Sequence, residues 1–216
     1  MSAPGPVIAL LGAESTGKTT LARALALELR ALGRPVRVVD EYLREFCDAQ
    51  GRTPRPDEQA AIAAEQRRRI EAAAADGSVV LADTTPLTVA VYSALLFDDR
   101  RLHAEALAWQ RRCRLTLLTG LDLPWQPDGL QRDGPQVRGP VDAAIRAALA
   151  GGGLGYGVVY GQGAARTAAA LAALRPALGL APDAATAAAA DMPPRLRGRC
   201  RECLVPDCEH LSRTAP

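Results

Sequence analysis

A glycine-rich segment near the start of the chain, GAESTGKTT, has the residue types and spacing that bind phosphate. It fits the pattern G-x-x-x-x-G-K-[ST], with an apolar run before it and an amphipathic segment after it. Glycines let the backbone N–H groups surround phosphate oxygens, the lysine reaches the β- and γ-phosphates, and the threonine hydroxyl is a ligand for Mg²⁺. The predicted nucleotide-binding residues are Gly12, Glu14, Ser15, Thr16, Gly17, Lys18, Thr19 and Thr20.

Carboxylates follow two other apolar runs, and the carboxyl ends of parallel strands are where such sheets bind ligands. Asp83 ends the run VVLAD, which is typical of a Walker B segment that holds Mg²⁺ directly or through water. The alternative is that Asp83 caps the helix that starts near Pro86. Asp40 and Glu41 end the earlier run, and we predict that they contact a substrate.

The segment DEYLREF, residues 40–46, mixes acidic, basic and aromatic side chains. Glu41 can accept a proton from a substrate hydroxyl, and Arg44 can contact phosphate or substrate. The alternative is a solvated amphipathic turn that Tyr42 and Phe46 anchor to the core.

A proline- and glycine-rich segment, residues 124–140, is predicted to be a mobile loop or lid. Arg132 and Arg138 are candidates for neutralising a transferring phosphate, and we count Arg132 among the catalytic residues. Trp125 can stack on an aromatic or cationic ring, and Asp128 is a further substrate-binding candidate. The alternative is an ordinary surface loop with one buried tryptophan.

Near the C-terminus, the segment CRECLVPDCEH brings four metal-ligating residue types together. Thiolate and imidazole ligands at this density suit tetrahedral Zn²⁺. The alternatives are a disordered tail with free thiols and a redox-active C-x-x-C pair. The candidate zinc ligands are Cys200, Cys203, Cys208 and His210.

Apolar strand-like runs alternate with helical segments along most of the chain. This alternation predicts an α/β fold, a mostly parallel doubly wound sheet of about five strands with helices on both faces. The run PVRVVDEY, residues 35–42, is taken as the second strand. We expect a P-loop domain over residues 1–180, an Ala/Pro-rich linker over 181–194 and a Cys/His-bearing tail over 195–216.

The overall composition limits the classes of partner. A formal net charge of +2 over 216 residues gives no argument for nucleic acid or an anionic membrane. No apolar run reaches the length of a membrane span, and the N-terminus lacks the basic region of a signal peptide. We therefore expect a cytoplasmic protein that acts on a small molecule, and the sequence indicates no oligomeric state.

The motifs occur in an order and at spacings that resemble the NadR-type ribosylnicotinamide kinase domain, whose family is grouped with other P-loop ATPases of the AAA type. The matching stretches are GAESTGKTTLA, DEYLREF, LADTTPLT and LDLPWQPDGLQRDG. The resemblance covers residues 6–178 and implies a P-loop NTPase fold. The chain starts a few residues before its first strand, so we expect neither the adenylyltransferase nor the helix-turn-helix domain of some members.

The resemblance implies γ-phosphoryl transfer from ATP, with Mg²⁺, to the 5′-hydroxyl of nicotinamide riboside. Glu41 and Arg44 would border the substrate, and Asp83 would lie near Mg²⁺ or the acceptor hydroxyl. Trp125 and Asp128 would belong to a segment that closes over the nucleoside. Two alternatives remain open, a kinase for another nucleoside or nucleotide and an ATP-binding regulatory protein.

Overall fold

A computed structural model describes residues 3–126 and 134–181, and its elements lie within one compact unit, Met1–Leu178. Five parallel strands form one sheet in the order β2-β3-β1-β4-β5, with β1 in the centre. This arrangement confirms the predicted α/β class and the parallel sheet. The strands are β1 (Val7–Leu11), β2 (Val36–Val39), β3 (Val79–Asp83), β4 (Leu115–Thr119) and β5 (Gly157–Val159).

Helices connect the strands and cover both faces of the sheet. The described helices are α1 (Lys18–Ala31), α2 (Tyr42–Gln50), α3 (Gln59–Ala74), α4 (Pro86–Phe97), α5 (His103–Gln110), α6 (Arg138–Gly151) and α7 (Gly163–Ala177). Side chains of successive strand residues point to opposite faces of the sheet. Leu11 and Leu118 pack with α4 and α6, whereas α1 and α7 pack together and contact the sheet. Among these helices none is both long and apolar enough to span a membrane.

The strand register brings the predicted functional segments to one edge of the sheet. Leu10 of β1 pairs with Asp83 of β3, and Leu11 pairs with Leu118 of β4. Because the strands are parallel, the turn after β1, the carboxylate that ends β3 and the loop after β4 meet at this carboxyl edge.

The second strand is shorter than the sequence pattern suggests. It ends at Val39, and Tyr42 begins α2, so DEYLREF lies mainly in a helix and not in a strand or a turn. The cause is packing at helical spacing, because Tyr42 and Phe46 contact each other edge to face at 6.4 Å and pack with Leu43 against Ile62 of α3. The helix turns Glu41 and Arg44 towards the carboxyl edge.

Candidate active site

The glycine-rich loop joins β1 to α1, and two of its positions favour glycine. Gly12 has a φ of 151°, and a Cβ atom there would lie 2.0 Å from the Thr119 hydroxyl. Gly17 has a φ of 74°, and a Cβ would lie 2.9 Å from Leu123 Cδ1. Since α1 begins at Lys18, the unpaired N–H groups of its first turn face the loop, where an anion is stabilised.

Buried hydrogen bonds support this loop from below. The hydroxyls of Thr16 and Thr119 are 2.6 Å apart, and Thr16 Oγ1 also donates to the Ala13 carbonyl at 2.8 Å. Arg166 of α7, which is 4% exposed, donates from Nη2 to the Thr16 carbonyl at 2.7 Å. The Thr16 side chain therefore braces the loop, and only its backbone N–H remains for a ligand.

Lys18 is the only lysine among the 216 residues. Its Nζ donates to the carbonyls of Gly12 and Ala13 at 3.1 and 3.0 Å, so the ammonium lies against the loop. Carbonyl partners of this kind can be exchanged for phosphate oxygens, which bind an ammonium more strongly because they are charged.

Thr19 and Asp83 meet beside the loop, where Thr19 Oγ1 donates to Asp83 Oδ2. Asp83 is 1% exposed, and its Oδ1 is buried without a hydrogen-bond partner among the described residues. Thr84 follows with a φ of 81°, a strained conformation for a β-branched residue, which turns the chain into α4. A buried carboxylate oxygen without a partner beside a hydroxyl fits a Mg²⁺ ion that also binds phosphate oxygens.

No larger metal site occurs in the described part of the chain. Over residues 3–126 and 134–181, no group of three or more His, Cys, Asp or Glu side chains is placed to hold an ion.

A cavity of about 320 Å³ opens between the loop and helices α2–α4. Predicted site residues Glu14, Ser15, Lys18, Glu41 and Arg44 line it together, and the Glu41 side chain is only 16% exposed, with Arg44 Nη2 3.9 Å from its carboxylate. The cavity places a carboxylate next to the phosphate-binding loop.

Asp40 is not among the residues that line this cavity. Its side chain is 68% exposed and points towards Arg23 at 4.0 Å. The neighbouring backbone explains the difference, because Gln66 of α3 donates to the Asp40 carbonyl and accepts from Tyr42 N–H, which fixes the turn that directs Glu41 inwards.

Two further cavities lie along the other side of the loop. One, of about 640 Å³, follows residues 15–20 and reaches Arg23, Arg44 and Gln162. The other, of about 680 Å³ and mainly apolar, lies between α1 and α7. Ser15, Lys18 and Arg44 line both the first of these and the cavity at α2–α4, so the two spaces meet at the lysine.

The segment after β4 is fixed to the loop. Ser15 Oγ accepts from Gln126 N–H at 2.8 Å, and Arg138 donates to the Leu123 carbonyl at 2.9 Å. Arg138 is 8% exposed and holds this segment, a role different from the phosphate contact considered for it. Trp125 is not among the described residues that line the three cavities, although its Nε1 is buried without a partner among the described residues.

Two buried groups near the loop have shifted pKa values. Burial raises the pKa of the Cys47 thiol, which lines the α2–α4 cavity and therefore stays protonated and weakly nucleophilic at neutral pH. Burial lowers the pKa of the Arg166 guanidinium, an effect that Asp122 partly opposes, but arginine remains charged.

Several predicted residues lie outside the described residues. They are Asp128 and Arg132 of the segment after β4 and the candidate zinc ligands Cys200, Cys203, Cys208 and His210. Nearly all of the proposed linker and the whole tail lie there as well. Their roles and the domain boundaries stay predictions.

Sequence reasoning missed three positions that the site uses. Thr119, Gln66 and Arg166 hold the loop or its neighbours through buried hydrogen bonds. The sequence signals for these residues are a threonine at the end of a strand and polar residues on the buried sides of helices. These signals do not identify the hydrogen-bond partner of each side chain.

The central β1, the parallel sheet order and the loop between β1 and α1 define the P-loop NTPase fold. Residues 7–166 match the AAA domain family, and the chain belongs to that family. No curated protein matches the sequence.

Solved structures with the same fold include P-loop kinases. A NadR protein in complex with NR is 23% identical, with a TM-score of 0.63 over 83% of this chain and 52% of that chain. A NadR protein in complex with NAD and AMP-PNP is 21% identical, with a TM-score of 0.64 over 83% and 51%. The chain thus spans about half the length of these NadR chains, and the similarity confirms the resemblance to them at the level of the fold.

A thymidylate kinase from Ehrlichia chaffeensis is more distant. It is 12% identical, with a TM-score of 0.57 over 80% of this chain and 100% of that chain. The same fold therefore also occurs in a nucleotide kinase.

Proposed function

We propose that this chain is an ATP-dependent kinase for a nucleoside, and that its acceptor is the 5′-hydroxyl of nicotinamide riboside, which becomes nicotinamide mononucleotide. The observation that carries the proposal is the meeting of two spaces at Lys18. A groove along the phosphate-binding loop and a cavity of about 320 Å³ share Ser15, Lys18 and Arg44. Phosphoryl transfer needs a donor and an acceptor that lie next to each other and in line, with cations that neutralise the charge of the transferring group.

The donor nucleotide would bind along the loop. Backbone N–H groups of residues 12–20 and the first turn of α1 would hold the phosphates, with Lys18 exchanging its carbonyl partners for phosphate oxygens. Thr19 and Asp83 would hold Mg²⁺, which offsets the charge of the β- and γ-phosphates. The apolar cavity between α1 and α7 would take the purine.

The acceptor would occupy the cavity at α2–α4. Glu41 would accept the proton of the acceptor hydroxyl as its oxygen bonds to the γ-phosphorus and the bond to the β,γ-bridging oxygen breaks. Lys18, and Arg132 after β4, would offset the charge of the transferring group, and Arg44 would border both substrates.

The charges in the cavity favour a nucleoside over a nucleotide as acceptor. Among the described residues that line it, the carboxylates Glu14 and Glu41 match the two cations Lys18 and Arg44, and the donor phosphates would occupy Lys18. A second phosphate would therefore meet carboxylates, whereas the cationic pyridinium ring of nicotinamide riboside suits them and the aromatic side chains of Tyr92 and Phe97. The NadR fold bound to NR supports the same acceptor.

A coupled assay of ADP release across a panel of nucleosides and nucleoside monophosphates tests the proposal. We expect the highest kcat/KM with nicotinamide riboside. Turnover with only a different nucleoside would support kinase activity but assign it another acceptor. ATP binding without any acceptor-dependent ADP release would overturn the kinase and favour a regulatory ATP-binding protein.

A further inference from the structure

Thr88 lies on the wall of the α2–α4 cavity, and its hydroxyl makes no hydrogen bond with the described residues. It lies in the first turns of α4 and is 3% exposed. Tyr92, one turn further along α4, and Gln59, the first residue of α3, line the same cavity. Gln59 is 4% exposed, so this lining residue is buried as well.

Two buried amide side chains of the neighbouring helices, by contrast, are bonded within the protein. Gln66 of α3 accepts from Tyr42 N–H at 2.7 Å and donates to the Asp40 carbonyl. Gln110 of α5 accepts from the Thr85 hydroxyl at 2.7 Å and donates to Thr116 Oγ1 at 2.9 Å. A buried polar group without a partner is unusual and destabilises the free protein, so its presence on a cavity wall indicates a ligand.

Two other buried hydroxyls, those of Thr84 and Ser93, also lack a partner among the described residues. Neither is among the residues that line the cavity. Ser93 lies on α4, five positions after Thr88, and is 0% exposed. It therefore provides a matched comparison within the same helix, a buried hydroxyl in a similar state but away from the cavity.

We propose that Thr88 and Gln59 bind the acceptor and select acceptors that carry a neutral hydrogen-bonding group, such as the carboxamide of nicotinamide riboside. This inference rests on the proposed function, since it assigns residues to the acceptor of the same site. A hydroxyl and a primary amide together donate and accept without charge, which matches a carboxamide. A carboxylate at the same place would meet no cation from these two residues. Of the two cations that line the cavity, Lys18 would bind the donor phosphates and Arg44 lies 3.9 Å from the Glu41 carboxylate.

If Thr88 binds the acceptor, removing its hydroxyl should weaken acceptor binding without lowering the stability of the free protein. Replacing Thr88 by valine keeps the shape of the side chain but removes the unpaired hydroxyl. The free protein should then melt at the same temperature or higher, whereas the acceptor should bind less tightly. A hydroxyl with only a structural role would lower the melting temperature on removal and leave acceptor affinity unchanged.

The test measures equilibrium binding and turnover with the full chain. Calorimetry with nicotinamide riboside, in the presence of a non-hydrolysable ATP analogue, compares wild type with Thr88→Val, Thr88→Ser, Gln59→Leu and Ser93→Ala. We expect Thr88→Val and Gln59→Leu to weaken binding of nicotinamide riboside roughly tenfold. Thr88→Ser should retain most of the affinity, Ser93→Ala should not change it, and affinity for the ATP analogue should stay constant.

Nicotinic acid riboside, which replaces the carboxamide by a carboxylate, tests the selection. Wild type should bind it more weakly than nicotinamide riboside, and Gln59→Leu should reduce the difference. If Thr88→Val and Gln59→Leu bind nicotinamide riboside within twofold of wild type, the inference is overturned while turnover by wild type still supports the kinase. If wild type neither binds nor phosphorylates nicotinamide riboside, both the acceptor and this inference are overturned.

Discussion

The two sides of the candidate active site are built differently. The nucleotide side consists of the loop 12–19, the start of α1, Thr119 and Arg166, and buried hydrogen bonds connect these parts. The acceptor side consists of helices α2–α4 and the connection 51–58, which arginine–carboxylate pairs such as Arg52–Glu58 and Arg69–Glu45 hold at the surface. The first side is connected by buried hydrogen bonds between the loop and two other elements, whereas the second has the unpaired Thr88 hydroxyl on its cavity wall.

This difference indicates a division of roles. A rigid loop can serve any triphosphate, because phosphates are recognised through backbone N–H groups. Under the proposed function, the choice of acceptor would depend on side chains of three packed helices. Variants on the nucleotide side should therefore change kcat or the KM for ATP, and variants on the acceptor side should change the KM for the acceptor.

The largest effect is expected from Lys18→Ala. The Lys18 ammonium lies within the phosphate-binding loop and lines both cavities, as Arg44 also does. Its loss should lower kcat about 10³-fold with little change in the melting temperature, since Lys18 bonds to loop carbonyls. The ADP-release assay and a thermal melt measure both quantities. Arg30→Ala at the far end of α1 is the control, with activity near that of wild type.

The single lysine allows a second check of this prediction. An acyl-phosphate derivative of ATP acylates amines close to bound phosphates, and Lys18 is the only lysine of the chain. Peptide mapping should find one labelled lysine, with ATP protecting it. If ATP does not prevent labelling, or if Lys18→Ala keeps full activity, Lys18 does not take part in phosphoryl transfer.

Thr19 and Asp83 should give the next largest effects. Asp83→Asn and Thr19→Val each remove one side of a metal site and should lower kcat about 10²-fold. Because both act through one ion, the double variant should lose little more than either single variant. If the fold-losses in kcat of the two single variants multiply in the double variant, the two residues do not act through a shared ion. Asp76→Asn, at the amino edge of the sheet, is the control for removal of a carboxylate charge.

Arg166→Lys should have a smaller effect that is confined to the nucleotide side. Lysine cannot reproduce the planar fork by which Arg166 donates to the carbonyls of Thr16 and Gly161. The KM for ATP should rise about tenfold and the KM for the acceptor should stay constant. Arg114→Ala, which removes an arginine bonded to the Ala177 carbonyl at the opposite edge, should change neither KM. An equal rise in both KM values would contradict the separation of the two sides.

The same contrast explains how much could be predicted from the sequence. The loop, α1 and the parallel sheet were predictable, because glycine spacing and apolar runs determine backbone geometry locally. Residues 40–46 were harder. The helix from Tyr42 depends on packing against α3, and the turn at Asp40 and Glu41 depends on hydrogen bonds from Gln66. Thr88 and Gln59 carry no local signal, because their position depends on how separate helices pack.

The smallest effect concerns the stability of the acceptor side in acid. Bonds from Arg52 and from the Arg55 N–H lower the pKa of Glu58 to about 2, from an ordinary value of 4.5. A carboxylate with a lowered pKa stabilises the folded state above the ordinary value, and this contribution is lost as the pH falls from 4.5 towards 2.

Glu58→Gln should therefore be less stable than wild type at pH 7, and the difference in melting temperature should shrink below pH 4.5. Glu28→Gln makes the same change of charge on α1, and its difference from wild type should vary less with pH. The pair Arg52–Glu58 is near the surface, so even the full effect should be a small part of the total stability. A difference for Glu58→Gln that is the same at pH 7 and pH 3 would show that the ion pair does not stabilise the connection to α3, and the acceptor side would then depend on helix packing alone.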